Sequence, residues 1–471
     1  MLTPICRNAL KEHIKLFLGV FFLGILFSCA KPPQEIIENP SEFHRHRNSI
    51  VRVESKLGLS STGIGSGFFV QRNKIVTNIH VIARPGPVYV KSVDKKTTWK
   101  VEGVAAYDVK NDLVILKVIG EGEALPLGNS DVIRDGEPIS VVRFFDGEYK
   151  VADSTLHSIR DSDKWLRMNV NTAGGSSGGP VLNSKGQIIG IQALGGDFIS
   201  HAIPSNTVKV LLTQSKSTEP LEQWHKRELI RSYAHYVKGE MYYDEKRYDK
   251  AIANLDESIR LNPESIYAYS KRGDVKLNLG NHKDAIKDYS KAIKLNPQDT
   301  TAYGNRGVAK FKLCDHKDAI EDFNKVTKLN PQDVNAYNNR GTARQKLCDY
   351  KSAIEDHDKA IKLNPQDATA YYNRGVAKQK LGDYKGAIED YDKSIKLNPQ
   401  DVDAYNNRGA AKRELGDYEG AKSDYDKAIN LNPEYAAAYK NRARAKKALG
   451  QHEAAKADFE KAKELDPDIV K

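Results

Sequence analysis

Gly174-Gly175-Ser176-Ser177-Gly178-Gly179-Pro180 is glycine or serine at six of its seven positions and lies among apolar, strand-like runs. Glycine permits positive φ and lets a substrate approach backbone N–H groups, so a serine held among glycines is both exposed and surrounded by donors. The same composition also makes an ordinary hairpin turn. Two stretches upstream bear on which it is. Ile75-Val76-Thr77-Asn78-Ile79-His80 is an apolar strand that delivers a histidine at its end. Asn111-Asp112-Leu113-Val114-Ile115-Leu116-Lys117 places a carboxylate at the start of a strongly apolar strand, where it is partly buried and needs a partner.

A serine hydroxyl is a poor nucleophile until a base with a pKa near working pH takes its proton, and histidine is the usual base. The imidazole in turn needs a carboxylate to hold its other nitrogen and to stabilise its positive form. The chain supplies His80, Asp112 and Ser177, in that order. Around them, short β-branched runs separated by Gly, Asp and Asn turns extend from Ser49 to about Ser205: 50–53, 67–70, 75–77, 88–93, 113–118, 139–142 and 188–191. Many short strands at this spacing predict an all-β barrel or sandwich pair, closed by a short helix over 207–214.

Six motifs in this order resemble the HtrA/Deg-type trypsin-like serine proteases over residues 49–214: Gly65-Ser66-Gly67-Phe68-Phe69-Val70, Thr77-Asn78-Ile79-His80-Val81, Asn111 to Lys117, Leu127-Gly128-Asn129-Ser130-Asp131, Gly175 to Pro180, and Ala202-Ile203-Pro204-Ser205-Asn206. The resemblance implies a chymotrypsin-like pair of six-stranded β-barrels with the site in the crevice between them. It implies Ser177 as nucleophile, His80 as base and then acid, Asp112 as the orienting carboxylate, and the N–H groups of Gly175 and Ser177 as the oxyanion hole. Among rivals, the G-x-S-G-G-P register selects Ser177 over Ser176, and Asp112 rather than Asp108 directly precedes the apolar strand. His157 and His201 lack the preceding strand motif, and His44 and His46 fall in an N-terminal tether.

The chain departs from the family just before the nucleophile, where it reads Asn169-Val170-Asn171-Thr172-Ala173-Gly174. Asn171 and Thr172 stand in the stretch that lines the specificity pocket, and His201 before Ala-Ile-Pro is a further candidate for its wall. No carboxylate occurs there, so a Lys/Arg preference is not indicated; small or medium apolar P1 residues are the expectation.

Arg7, Lys11 and Lys15 precede a run of twelve apolar residues, Leu16 to Phe27. At ~1.5 Å per residue such a run is too short for a ~30 Å hydrocarbon core and reads as a signal-peptide core. Leu26-Phe27-Ser28-Cys29-Ala30 resembles the lipobox of bacterial lipoproteins, with Phe27 bulkier than usual. That implies cleavage before Cys29, lipid on its thiol and a membrane anchor in the bacterial cell envelope; an unlipidated signal peptide and an uncleaved anchor are the alternatives. Residues 1–28 are thus read as a signal peptide and 29–48 as the lipidated cysteine and tether, which contains Pro32, Pro33 and Pro40.

Beyond a linker at 215–231, Pro263, Pro297, Pro331, Pro365, Pro399, Pro433 and Pro467 recur every 34 residues, in phase with Tyr269, Tyr303, Tyr337, Tyr371, Tyr405 and Tyr439. This period resembles the tetratricopeptide repeat and implies an all-α solenoid of seven units over 232–471 with a concave surface for a protein partner. Cys314 and Cys348 occupy the turn position held elsewhere by Gly280, Gly382, Gly416 and Gly450. One repeat apart they stand near ~10 Å, beyond the ~7 Å Cα limit for a disulfide. The recurrent Asn-Arg-Gly arginines either add charge near the groove or lie with half-buried stems in a solvated face.

The net charge of +11 is spread over lysine-rich faces without a basic tail or nucleic-acid motif, so no nucleic-acid partner is expected, and neither is a metal or cofactor. Two functions remain: a lipid-anchored serine endopeptidase whose repeats recruit protein or peptide substrates or partners, and an idle or ligand-regulated protease fold that acts mainly as a scaffold. Oligomeric state is not legible.

Overall fold

In the computed structural model, which describes residues 46–57, 61–145, 148–159, 165–168, 170, 176–193 and 200–469, six strands close into a first barrel. They are β1 (Ile50–Leu57), β2 (Ser61–Gln71), β3 (Lys74–Asn78), β4 (Val88–Ser92), β5 (Thr98–Asp108) and β6 (Leu113–Ile119), in the order β1-β2-β3-β6-β5-β4. A second barrel is closed by β7 (Pro138–Phe145), β8 (Glu148–Ile159), β9 (Leu166–Met168), β10 (Pro180–Asn183), β11 (Ile188–Gln192) and β12 (Ser200–Pro204), in the order β10-β11-β12-β9-β8-β7. The double barrel implied by the resemblance is therefore present.

β6 is apolar at nearly every position because both its faces are buried. Val114, Leu116 and Val118 join Val51, Val53, Phe69 and Ile75 inside the first barrel. Leu113 and Ile115 join Phe68, Val76, Leu182, Ile188 and Ile203 in a cluster shared by the two barrels. Each such side chain contributes ~1.5–3 kcal/mol when fully buried, so this shared cluster fixes one barrel against the other. The helix α1 (Ile79–Ile82) follows β3, and α2 (Ser205–Gln214) closes the second barrel by adding Val208 and Leu211 to the shared cluster.

Residues 215–231, read from the sequence as a linker, are packed structure. Glu219 exchanges two 2.8 Å backbone hydrogen bonds with Val104 of β5. The helix α3 (Leu221–Lys226) buries Trp224 completely in the first-barrel core, and His225 Nε2 meets the Ile82 carbonyl at 2.8 Å. Pro220 and the flanking charges hide this from pattern reading.

Fourteen helices follow in pairs: α4 (Glu228–Asp244) and α5 (Tyr248–Leu261), α6 (Ile266–Asn278) and α7 (His282–Leu295), α8 (Thr300–Lys312) and α9 (His316–Leu329), α10 (Val334–Lys346) and α11 (Tyr350–Leu363), α12 (Ala368–Lys380) and α13 (Tyr384–Leu397), α14 (Val402–Glu414) and α15 (Tyr418–Leu431), α16 (Ala436–Ala448) and α17 (His452–Leu465). The chain divides into two compact units at Lys271/Arg272, so the first helical pair belongs with the barrels rather than with the later repeats.

Within the second unit, the arginine at the same place in each repeat, in Asn-Arg-Gly or its variants Lys271-Arg272-Gly273 and Asn441-Arg442-Ala443, grips an aspartate sixteen residues on. Arg272–Asp288, Arg306–Asp322, Arg340–Asp356, Arg374–Asp390, Arg408–Asp424 and Arg442–Asp458 pair at 2.5–2.7 Å, and a second cation four residues after each arginine takes the other carboxylate oxygen. These arginines thus neutralise nearly buried carboxylates, a third outcome beside the two expected for them. The glycine that follows all of them but Arg442 lets the helices close: a Cβ on Gly375 would stand 2.8 Å from the Tyr391 ring. Cys314 and Cys348 adopt φ of +65° and +62°, the left-handed turn conformation of the glycines they replace, and both are exposed and outside any disulfide.

Candidate active site

His80 sits on α1, a single helical turn that β3 feeds, rather than at the end of the strand itself. The β5–β6 turn brings Asp112 to it. The Ile79 N–H and the Asn78 side-chain amide donate to the Asp112 carbonyl at 3.1 and 3.0 Å, which ties the two segments together. The carboxylate then takes the His80 backbone N–H on Oδ1 at 3.0 Å and meets Nδ1 at Oδ2, 2.5 Å away. Asp112 holds this position at φ +54°, a conformation few non-glycine residues adopt. The rival Asp108 is occupied locally, accepting the Asn111 backbone and side-chain N–H groups at 3.2 and 2.6 Å.

Burial pushes the His80 imidazole towards its neutral form, but the charge and hydrogen bond of Asp112, helped by Glu240, more than offset it against the opposing Arg84. The net direction is a pKa above the ordinary imidazole value. With Nδ1 committed to Asp112, Nε2 is the nitrogen left to accept a proton.

Ser177 reaches the same region from the second barrel. Its carbonyl accepts the Ser66 N–H of β2 at 2.7 Å, the Gly178 N–H bonds the Gln192 carbonyl at 2.8 Å, and the Gly179 N–H bonds the Ser176 carbonyl at 3.0 Å. Gly178 has φ +86°, and a Cβ there would lie 2.2 Å from the Ser66 carbonyl oxygen. Only glycine fits at this position. The Ser177 hydroxyl donates to the Ala193 carbonyl at 3.0 Å. A hydroxyl has one proton, so in this conformation it is held by Ala193 and not by His80. The rival Ser176 is buried.

Gly175, Asn171 and Thr172 lie outside the described residues, as does Cys29. His201 lies on β12, and its carbonyl accepts the Ala193 N–H at 3.1 Å, which puts it one strand from the carbonyl that holds Ser177. Sequence reasoning missed Ala193 and Ser66 because both act through backbone groups, which leave no side-chain signature. Among the described residues no group of His, Cys, Asp and Glu could hold a metal ion.

Two six-stranded barrels meeting at a histidine–aspartate pair and a glycine-flanked serine define the trypsin-like peptidase class. Residues 65–191 match the trypsin-like peptidase domain, and segments between 239 and 469 match tetratricopeptide repeats. The chain thus carries a trypsin-like peptidase domain with DegP/HtrA homologues, followed by tetratricopeptide repeats. A probable periplasmic serine endoprotease DegP-like of Hahella chejuensis is 32% identical over 172 residues, 33% of this chain and 36% of the relative. Serine protease HTRA1 of Xenopus tropicalis is 28% identical over 178 residues, 35% of this chain and 38% of that one. The chain spans about a third of the length of these curated relatives. Of solved structures, a MamA protein is similar at 29% identity and a TM-score of 0.34 over 36% of this chain and 93% of its own. A tetratricopeptide repeat protein from Parabacteroides merdae is similar at 23% identity and a TM-score of 0.43 over 51% and 95%.

Proposed function

We propose that the chain is a serine endopeptidase of the bacterial cell envelope, with Ser177, His80 and Asp112 as its catalytic triad. The observation that carries this is the His80 Nδ1 to Asp112 Oδ2 contact at 2.5 Å, made in the barrel against which the Ser177 loop is hydrogen-bonded. Ser177 Oγ attacks the scissile carbonyl carbon while His80 Nε2 takes its proton; the proton then passes to the leaving amine as the C–N bond breaks. Water attacks the acyl-enzyme with His80 again as base, releasing the acid and restoring the hydroxyl. The N–H groups of Gly175 and Ser177 receive the oxyanion, each donor contributing ~2.7–4 kcal/mol in the transition state. Asn171, Thr172 and His201 line the specificity pocket.

Substrates are polypeptides, and the repeats recruit them or a protein partner on their concave face. The bacterial relatives are periplasmic by name, which supports an envelope site, with the chain anchored by lipid on Cys29. Among the described residues no helix is long and apolar enough to cross a membrane.

A regulated form of the same activity is favoured by one observation, the Ser177 hydroxyl held on Ala193. Release of that bond by side-chain rotation is then the first step of activation. The test is degradation of a denatured polypeptide by the full chain and by Ser177→Ala, alone and with peptides offered to the repeats. Cleavage by wild type only is expected; equal cleavage by both, or none under any condition, contradicts the endopeptidase reading.

A further inference from the structure

One buried position sets a single repeat apart from its neighbours. Tyr289, Phe323, Tyr391 and Tyr425 occupy the same place in their repeats, each at most 1% exposed and each against a glycine of the preceding helix. In that register α11 carries His357, which is 0% exposed and lies against Gly341. The aromatic rings stay neutral at every pH below ~10, whereas an imidazole titrates.

Both ring nitrogens of His357 have a partner. Asn338 Oδ1 on α10 lies 3.2 Å from Nδ1, and a carbonyl oxygen only accepts, so Nδ1 carries the proton. Gln345 Nε2, also on α10, donates to His357 Nε2 at 3.1 Å and to the Asn373 carbonyl of α12 at 2.7 Å. Asn338 in turn donates from Nδ2 to Asp367 Oδ2 at 2.6 Å, and Asp367 caps α12 by accepting the Thr369 and Ala370 N–H groups. One neutral imidazole therefore links three helices, and only its Nδ1-protonated tautomer completes the network.

A second proton does not fit this network. On Nε2 it faces the Gln345 N–H, and turning that amide over sets its oxygen against the Asn373 carbonyl. Either way a buried polar group loses its partner and a charge is buried beside it, both of which are costly. The charged groups around the ring are already paired. Arg340 and Arg344 of α10 share Asp356 of α11, and Arg374 of α12 bonds Asp358 of α11 and Asp390 of α13, which also holds Lys378. Burial, reinforced by Arg374 and opposed by Asp390, holds the imidazole down to about 4.

We propose that His357 is an acid-operated latch of the repeat array: neutral, it locks α10, α11 and α12 together, and protonated, it releases them, so that the stack opens first at this hairpin. The device stands apart from the peptidase reading, since it lies wholly within the second unit. The folded pKa is below the ~6.5 of an unfolded histidine. The latch's contribution to stability is therefore complete above the unfolded value and is lost as pH falls towards the folded one.

The test is amide hydrogen exchange of the full chain, read by mass spectrometry at pH 7.5 and pH 4 and corrected for the intrinsic exchange rate. Between the two, the opening equilibrium of 334–363 should rise on the order of 100-fold more than that of 402–431. The arginine–aspartate pair recurs in both hairpins, so its own acid response cancels in the comparison. His357→Tyr is the matched variant, because the Tyr391 hydroxyl one repeat on donates to Gln379, the counterpart of Gln345, at 2.7 Å. That variant should abolish the difference. Titration of ring-labelled histidine by NMR, with the His357 signal identified by its loss in the variant, should give a midpoint near 4. Exchange of 334–363 that tracks 402–431 down to pH 4 overturns the proposal, and so does a difference that persists in His357→Tyr or a His357 midpoint near 6.5. If His357→Tyr does not fold, the wild-type comparison of the two hairpins decides alone.

Discussion

Asp112 accepts two hydrogen bonds from His80, the backbone N–H on Oδ1 at 3.0 Å and the ring at Oδ2, 2.5 Å from Nδ1. One carboxylate therefore fixes both the placement of the histidine and its tautomer. Asp112→Asn should present an amide N–H to Nδ1 and leave the proton on Nε2, where it blocks proton transfer from Ser177. Turnover should fall on the order of 10⁴-fold with the melting temperature little changed. Asp108→Asn should leave turnover near wild type, because that carboxylate caps its own turn at Asn111. Steady-state kinetics beside thermal unfolding checks both.

The same pair sets the pH dependence. The folded pKa of His80 is raised, with the Asp112 charge and hydrogen bond outweighing burial, and a general base works only when neutral. The acid limb of kcat/KM should therefore have its midpoint above the ordinary imidazole value of ~6.5. For stability the sign is opposite. Folding favours the protonated ring, so the contribution is complete below the unfolded pKa and is lost as pH rises through the folded one. Activity should rise over the interval in which this contribution declines, which paired rate and unfolding measurements across neutral pH will show.

Gly178 carries the turn after Ser177 at φ +86°, with the Ser66 carbonyl 2.2 Å from where a Cβ would stand. Gly178→Ala should cost ~1–2 kcal/mol for the left-handed conformation alone. The overlap with Ser66 adds to this and should push the loop off β2. Loss of peptide hydrolysis in a chain that still unfolds cooperatively is the expected result.

In the repeats, Arg374 bonds two aspartates of different burial. Asp390 is 4% exposed and also holds Lys378, whereas Asp358 is 52% exposed. Removing a buried partner strands its cations, so Asp390→Ala should destabilise by about 3–5 kcal/mol. Asp358→Ala should cost less than ~1 kcal/mol, as exposed pairs do. Urea unfolding of the two variants, compared by midpoint, separates them.

The 34-residue array was legible because it leaves side chains at fixed spacing; strand spacing gave only a barrel or sandwich pair, and the motifs carrying the resemblance supplied the double barrel and drew attention to His80 and Asp112, which meet in the structure. The strand β5 was not legible, since two register shifts against β6 break its alternation. Residues 215–231 misled because Pro220 and surrounding charges dilute the one residue that matters, Trp224, which is fully buried. The arginine ladder was half visible: its 34-residue recurrence is plain, but the pairing sixteen residues on needs the hairpin to fold back. The Ser177 hydroxyl's bond to the Ala193 carbonyl leaves no trace in the sequence.

The most direct measurement is fluorophosphonate labelling of the full chain, with the modified residue located by peptide mass mapping. Such a probe reacts with a serine whose proton can be removed by a neighbouring base. A single adduct on Ser177, absent from Ser177→Ala and strongly reduced in His80→Ala, is the predicted result. An adduct on Ser176 or elsewhere, or labelling that persists without His80, would contradict the assignment of His80 and Ser177 as base and nucleophile.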